Sequence, residues 1–221
     1  MIRVFENIDC MEGMEKYRDL LTGRRTLAIV DPEYGNDLKG PCGHFEKYGT
    51  LQKINQNPPD EKYFDLLFDV SDNSIIWGGA HFNVPPCRCY LVWDKGESIY
   101  GRSFGEIEFA WTSFDFVPRI YKLNPNQKNR FHPSQKPIAL YRWLLQNYAK
   151  PGDLILDTHV GSASSLIACE IEGFEYIGFE LDAEYYAAAT ERIKNHRKQP
   201  GLFDKKPEPV EREQLNLLEA Q

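Results

Sequence analysis

Four apolar residues, 27 to 30, lead directly into a carboxylate and then an aromatic ring. In TLAIVDPEYGND, Asp31 follows the last of them, and Tyr34 stands three positions later, before the turn-forming GND. Packing alone gives no reason for a buried strand to end on an acid and a ring. The pattern predicts a site in which Asp31 accepts hydrogen bonds and Tyr34 stacks on a planar ligand.

Two further apolar runs each end on an acidic residue. LILD leads into a loop of small residues, THVGSASS, whose Gly161 favours an open backbone at the start of a helix, where anionic groups bind. YIGFE ends on Glu180 about twenty residues later, the distance at which an acid typically contacts ribose hydroxyls. Either feature alone is explained as well by a turn or by a charge at a helix start. Together they predict a nucleoside site.

A nucleoside site also fits a dinucleotide-dependent oxidoreductase, which is a distant alternative. The G-x-G-x-x-G fingerprint is incomplete, because Ala163 occupies the second glycine position. We expect φ of Ala163 to be negative, since alanine avoids the left-handed region. A dehydrogenase usually begins with this unit, whereas here the unit comes last.

Strand-like and helix-like segments alternate along the chain. Short apolar, β-branched runs predict strands at IRVF, TLAIV, SIIWGG, CYLVW, IEFAW, LILD and YIGFE. Apolar residues at helical spacing predict helices over 63–70, 141–148 and 186–193, the last with Asp182 as its N-cap. This alternation predicts an α/β fold with a mostly parallel sheet and helices on both faces.

Composition and length indicate one globular domain. The 221 residues are 42% hydrophobic and 13% aromatic, and no apolar run approaches the roughly 20 residues of a membrane helix. We expect a single domain over 1–197 and a polar, mobile tail over 198–221. The N-terminus lacks a signal-peptide pattern and the cysteine count is odd, which favours a cytoplasmic protein with reduced thiols and no metal site.

One segment is basic although the net charge is −7. No acid occurs between Asp115 and Asp153, and the span 116–136 is a candidate DNA-contacting segment. A solvated basic loop explains the charge equally well. The candidate phosphate contacts are Arg119, Lys122, Lys128 and Arg130. Residues 35–57, rich in Gly, Lys, His and Tyr, are predicted to form a flap beside the Asp31 turn.

Read in order, these motifs resemble the amino-group DNA methyltransferases of the β class, in which the catalytic motif precedes the cofactor loop. VDPEYG resembles the catalytic D-P-P-Y of N6-adenine methyltransferases, and HPSQKP is similar to the family's H-P-T-Q-K-P. DTHVGSASS stands where the family has D-P-F-x-G-x-G-T-T, and GFELDAEYY and NIDC match two further motifs. The resemblance extends from residue 7 to about 196 and implies a Rossmann-like fold that binds S-adenosyl-L-methionine.

The resemblance also implies roles for individual residues. Asp31 and the Pro32 carbonyl would accept hydrogen bonds from the N6 hydrogens of an adenine that is flipped out of the duplex and stacked on Tyr34. Asp9 would contact the adenine of the cofactor, and Glu180 its ribose. The cofactor-binding residues implied in this way are Asp9, Cys10, Asp31, Lys136, Asp157, His159, Gly161, Ser164, Ser165, Glu180 and Asp182.

Glu33 departs from the family pattern, because it stands where the tetrapeptide has its second proline. The favoured prediction is an active N6-adenine enzyme. The alternatives are N4-cytosine methylation and a catalytically impaired homologue that binds cofactor or DNA. A homodimer fits the family, and the peptide between Gln199 and Phe203, QPGLF, resembles the motif that docks on bacterial sliding clamps.

Overall fold

A computed structural model describes residues 1–33, 58–103, 105–127 and 130–198 of the chain. Eight strands of this part form one sheet in the order β1-β8-β7-β2-β3-β5-β4-β6. The strands are β1 (Arg3–Asn7), β2 (Thr26–Val30), β3 (Asn73–Trp77), β4 (Tyr90–Asp94), β5 (Ile107–Thr112), β6 (Arg119–Lys122), β7 (Leu154–Asp157) and β8 (Glu175–Glu180).

Six α-helices connect or follow these strands. They are α1 (Cys10–Lys16), α2 (Arg18–Thr22), α3 (Glu61–Asp69), α4 (Ile138–Tyr148), α5 (Ser164–Glu172) and α6 (Ala183–Arg197), and a short 3₁₀ turn covers Gly79–His81. None of the helices in the described ranges is both long and apolar enough to span a lipid bilayer.

The helices cover both faces of the sheet, as the sequence predicts. On one face α4, α5 and α6 pack against the sheet through an apolar cluster that includes Leu144, Ile167 and Ala189. On the other face α1, α2 and α3 pack through a second cluster that includes Met14 and Leu67. The α/β, Rossmann-like fold is therefore confirmed.

All seven predicted strands and the three predicted helices are present. The strand missed by sequence reasoning is β6, whose residues alternate in no apolar pattern and are mostly exposed at the edge of the sheet. Its presence changes the interpretation of the basic span 116–136, because Arg119 and Lys122 belong to an edge strand and not to a loop. The predicted flap and all but the first residue of the predicted tail lie outside the described residues.

Strand direction decides which residues meet at one edge of the sheet. β2 pairs in parallel with both β3 and β7, and β8 pairs in parallel with β7 and β1. The chain runs outward from β2 to β3 and, in the other direction, from β7 to β8, so the order reverses between β7 and β2. In open α/β sheets a ligand binds beyond the carboxyl ends of the strands at such a reversal.

β5 is the antiparallel strand of the sheet, pairing in that sense with both β3 and β4. Because it runs the other way, its beginning lies at the edge where the parallel strands end. Glu108, the second residue of β5, pairs in register with Trp93 near the carboxyl end of β4. Glu108, which the sequence places inside a strand, therefore lies near the edge of the sheet where the parallel strands end.

Candidate active site

A cavity of about 560 Å³ opens at the carboxyl ends of β1, β8, β7 and β2. Its volume lies in the range of small-molecule and cofactor sites, roughly 300–1,000 Å³. Eight of the predicted site residues line it: Asp9, Cys10, Asp31, Lys136, His159, Gly161, Glu180 and Asp182. The carboxyl ends of four neighbouring strands therefore bring together residues that are up to 173 positions apart in sequence (182 − 9).

Asp31 follows the last residue of β2 and forms a buried ion pair. The Lys136 ammonium lies 2.5 Å from Asp31 Oδ2, and the exposed fractions of the two side chains are 4% for Lys136 and 12% for Asp31. Burial raises the pKa of Asp31 above its usual value, and Lys136 offsets this only in part. The role of Lys136 in cofactor binding stays a prediction.

The loop after β7 is fixed by a hydrogen bond to Glu180 and by two residues with positive φ. Gly161 has φ of +53°, and its N–H donates to Glu180 Oε2 at 2.7 Å. This N–H is therefore engaged and not open, in contrast to the expectation from sequence. Ala163 has φ of +62°, so the prediction of a negative φ is wrong. Alanine adopts this left-handed conformation because the loop must turn sharply into α5, at a cost of about 1–2 kcal/mol.

Three of the predicted cofactor-binding residues do not border the cavity. Asp157, Ser164 and Ser165 are buried behind the loop and are not among the residues that line the cavity. Asp157 accepts hydrogen bonds from the Ser165 hydroxyl and from the His159 N–H, the latter at 3.0 Å. Their hydrogen bonds support the loop, and their contact with the cofactor stays a prediction.

Arg192 of α6 is a loop support that sequence reasoning missed. Its Nη1 donates to the Ser162 carbonyl at 2.7 Å and to Ser164 Oγ at 2.9 Å. These bonds hold the loop from the helix that follows β8. The sequence carries no signal for this contact, because an arginine in a charged helix is usually solvent-exposed.

Three acids that border the cavity are held by hydrogen bonds to backbone N–H groups. Glu180 ends β8, and its Oε1 accepts from the Asp182 N–H at 2.9 Å. Asp182 caps α6, as predicted, by accepting from the N–H groups of Glu184 and Tyr185. Asp9 caps α1 in the same way and also lines the cavity. Each acid is therefore fixed in orientation where it borders the cavity.

Two histidines of the cavity wall are neutral near pH 7. Burial lowers the pKa of His132 and of His159 to about 4 each. His159 packs edge-on against Tyr63 with ring centroids 5.4 Å apart, and its Nδ1 is 2.9 Å from Thr158 Oγ1. His159 therefore contributes an uncharged, packed ring to the cavity wall.

Gly161 is where we expect a single added methyl group to damage the loop. A Cβ at Gly161 would lie 3.2 Å from the His132 ring, whereas a Cβ at Gly173, which also has positive φ, would have no neighbour within 4 Å. We predict that Gly161→Ala lowers the free energy of unfolding by more than Gly173→Ala, whose cost is the backbone strain of about 1–2 kcal/mol. Urea unfolding of both variants measures this. Equal costs would show that the His132 ring yields freely.

Glu33 borders the cavity two residues beyond Asp31. Burial, with a further contribution from the charge of Asp31, raises the pKa of Glu33 from 4.5 to about 7. Between these values the folded state binds the proton that the unfolded state releases, so stability falls as pH rises through this window. We predict that Glu33→Gln is more stable relative to the wild type at pH 8 than at pH 5.

Urea unfolding of Glu33→Gln and the wild type at both pH values checks the prediction. Glu191→Gln, which changes an exposed acid of α6, serves as the control and should show no such pH-dependent difference. A constant difference between Glu33→Gln and the wild type at both pH values would contradict a buried, protonated Glu33.

The remaining predicted residues are less fully placed by the structure. Pro32 is buried beside Asp31, and Tyr34 lies outside the described residues, as do Lys128 and the peptide 199–203. The Lys122 ammonium pairs with Glu97 at 2.9 Å. Arg130 donates to the carbonyls of His132 and Pro133, which fixes the segment before α4. DNA contacts of these basic residues stay predictions.

A protein-family model matches most of this architecture. The model, N6_N4_Mtase, described as DNA methylase, matches residues 27–191, from β2 into α6. That span contains 165 of the 221 residues (191 − 27 + 1). It includes Asp31, the loop after β7 and Glu180.

Curated relatives match over shorter segments. DNA adenine methyltransferase YhdJ of Escherichia coli (strain K12) is 34% identical over 80 residues, which are 36% of this chain and 26% of that protein. Type II methyltransferase M.HpaI of Haemophilus parainfluenzae is 35% identical over 74 residues, 34% of this chain and 23% of that protein. The aligned part is less than a third of the length of these relatives.

Solved structures share the fold over nearly all of the chain. The M1.HpyAVI–SAM complex superposes with a TM-score of 0.59 at 19% identity, covering 87% of this chain and 100% of that one. The PvuII DNA methyltransferase (cytosine-N4-specific) gives a TM-score of 0.59 at 14% identity, with coverages of 90% and 92%. At these identities the likeness shows the fold.

Proposed function

The chain belongs to the N6_N4_Mtase family of DNA methylases, and from this we propose that it methylates the exocyclic N6 of adenine in DNA. The observation that carries the proposal is the position of Asp31. This acid directly follows β2, which pairs with β7, and both Asp31 and the loop after β7 border the same cavity. A hydrogen-bond acceptor for an amino group and a nucleoside-sized site are thus adjacent.

S-adenosyl-L-methionine is the methyl donor, and the residues of the cavity fit it. The carboxylates of Glu180 and Asp9 border the cavity and suit ribose hydroxyls and an adenine amino group as hydrogen-bond acceptors. The neutral rings of His132 and His159 add a wall without charge. Bound there, the cofactor supplies an electrophilic methyl group.

Asp31 acts on the target nitrogen in this proposal. The lone pair of an exocyclic amine is delocalised into the ring, so the nitrogen is a weak nucleophile. A carboxylate that accepts its N–H hydrogen bond increases electron density on the nitrogen and stabilises the positive charge that develops as it is alkylated. Asp31 suits this task because it is held by one ammonium and faces the cavity. The nitrogen then loses a proton, which the Asp31 carboxylate accepts in this proposal.

Adenine is proposed over cytosine because an aspartate heads the motif that resembles D-P-P-Y. The same geometry can hold the N4 amino group of cytosine, which differs from N6 of adenine in the ring that carries it. The target base must leave the helical stack to reach an enclosed site of this kind. Glu33 places a second acid beside it, and its protonation near pH 7 limits the charge that faces the DNA.

Analysis of methylated nucleosides tests the proposal. Purified protein is incubated with unmethylated genomic DNA and S-adenosyl-L-methionine, and the digested DNA is examined by mass spectrometry. We expect N6-methyladenine. N4-methylcytosine in its place would assign cytosine as the target base.

A protein that binds the cofactor but yields neither product would be the impaired homologue that Glu33 suggests. Calorimetric titration with S-adenosylhomocysteine distinguishes that outcome from a misfolded sample. The homodimer and the clamp contact through residues 199–203 stay predictions. Both are measured on the same preparation, by light scattering and by binding to purified sliding clamp.

A further inference from the structure

Behind Asp31 lies a chain of alternating charges that has no part in the proposed chemistry described above. The Lys136 ammonium, 2.5 Å from Asp31, is also 3.1 Å from Glu108 Oε2. The other carboxylate oxygen of Glu108 accepts from the Lys95 ammonium at 2.8 Å. Asp31, Lys136, Glu108 and Lys95 therefore form a chain of the sequence minus, plus, minus, plus, with no net charge.

The four charged residues are partly or fully buried, and two tryptophan rings of the sheet pack against their cations. The exposed fractions of the side chains are 4% for Lys136, 15% for Lys95 and 25% for Glu108. Each ammonium lies over a tryptophan ring: Lys136 is 5.3 Å from the ring centroid of Trp77, and Lys95 is 5.4 Å from that of Trp93. Trp77 and Trp93 pack edge-on against each other at 6.4 Å. The positions of both cations are thus fixed by the core.

We propose that Glu108 is a positioning residue: by sharing the Lys136 ammonium with Asp31, it leaves the Asp31 carboxylate free to accept the amino hydrogen of the target base. An ammonium has three donors, and a carboxylate bound to it alone is a weaker acceptor towards a third group. Glu108 takes part of that donor capacity. Lys95 in turn limits how strongly Glu108 draws on Lys136. The inference rests on the proposed role of Asp31 in base methylation.

The charges around Asp31 support this order of influence. Burial raises the pKa of Asp31; the charge of Glu108 also raises this pKa, whereas the charges of Lys136 and Lys95 lower it. Although Glu108 is itself desolvated, its two lysines lower its pKa to about 2, so it stays ionised. The titratable groups that interact electrostatically with Asp31 come from its own segment, the segment before α4, α4, the residue after β4, β5 and β7: Glu33, Lys136, Tyr141, Lys95, Glu108 and Asp157.

Two single substitutions should act in opposite directions. In Glu108→Gln, Lys136 no longer divides its charge between Asp31 and Glu108, so the pKa of Asp31 falls. In Lys95→Met, Glu108 draws more strongly on Lys136, so the pKa of Asp31 rises. The carboxyl carbon of Asp31, assigned with the Asp31→Asn variant in protein labelled with ¹³C at aspartate carboxyls, reports both shifts by NMR titration.

Methyl transfer gives the second measurement. We expect Glu108→Gln to lower kcat at least about tenfold with an unchanged affinity for S-adenosylhomocysteine, and the acid limb of its pH profile to move to lower pH. The acid limb of Lys95→Met should move to higher pH. Glu106→Gln, the same change at an exposed acid two residues away, should resemble the wild type. Repeating the profiles in a Glu33→Gln background removes the titration of Glu33.

The double variant Glu108→Gln/Lys95→Met keeps the net charge of the four positions at zero. Its free energy of unfolding in urea, compared with that of the wild type, shows whether a loss of activity reflects a loss of folding. Shifts of the same sign in the two single variants, or an Asp31 titration unchanged by Glu108→Gln, would overturn the proposal. A parallel loss of cofactor affinity in Glu108→Gln would overturn it too, by making Glu108 a support of the cofactor site. Absence of methyl transfer by the wild type would instead remove the proposed function, while the Asp31 titration still decides whether Glu108 shares Lys136.

Discussion

Replacing Asp31 with alanine is expected to abolish methyl transfer, with a loss in kcat of at least about 10³-fold. The reason is that Asp31 provides the acceptor that increases electron density on the amino nitrogen and stabilises its developing charge. Affinity for the cofactor should change little, because Lys136 keeps Glu108 as an ionic partner at 3.1 Å and the cavity wall stays in place. Single-turnover transfer of a labelled methyl group and calorimetric titration with S-adenosylhomocysteine measure the two quantities separately.

Asp65→Ala is the matched control, since it removes an exposed acid from the surface of α3. It should leave both quantities unchanged. If Asp31→Ala lost cofactor affinity in proportion to its activity, Asp31 would be a structural residue of the cavity, and the proposed chemistry would lose its principal group.

Replacing Glu180 with alanine is expected to weaken cofactor binding about 100-fold, with a smaller effect on kcat at saturating cofactor. The proposed contact is with the ribose hydroxyls, and two hydrogen bonds to a carboxylate contribute about 3 kcal/mol. Glu180 also accepts from the N–H groups of Gly161 and Asp182, so the substitution removes the partner of two loop donors.

A cofactor analogue separates these two effects. The wild type should bind S-adenosylhomocysteine far more tightly than its 2′,3′-dideoxy analogue, whereas Glu180→Ala should bind both about equally. Glu191→Ala, at an exposed position of α6, is the control. A variant that still discriminated between the two compounds would show that Glu180 acts on the loop and not on the ribose.

Much of the fold could be predicted from sequence because most elements carry a local signal. The buried strands β2, β3 and β7 are short apolar runs, and the N-cap residue Asp182 predicts the start of α6. β6 carries no such signal, because its side chains are largely exposed and its pairing with β4 depends on a strand almost thirty residues earlier. An exposed edge strand resembles a polar loop in sequence.

The acids that border the candidate site could be predicted from the sequence, whereas the residues that hold those acids and the loop in place could not. Asp31 and Glu180 stand at the ends of apolar runs, where a charge is conspicuous, and the structure places both at one cavity. Arg192 and Glu108 are ordinary charged residues of a helix and a strand. Each one acts through a partner 28 positions away in the sequence. Arg192 bonds to Ser164, and Glu108 pairs with Lys136.

The sequence by itself determined that this is an α/β domain of a DNA methylase family, because strand periodicity and motif order are local properties of the chain. Tertiary structure alone decided how the site is built. The antiparallel direction of β5 brings Glu108 to the edge where Lys136 and Asp31 meet, and the sharp turn into α5 holds Ala163 at a positive φ. Strand direction and backbone strain are set by hydrogen bonds and packing between distant segments, so no local pattern of residues encodes them.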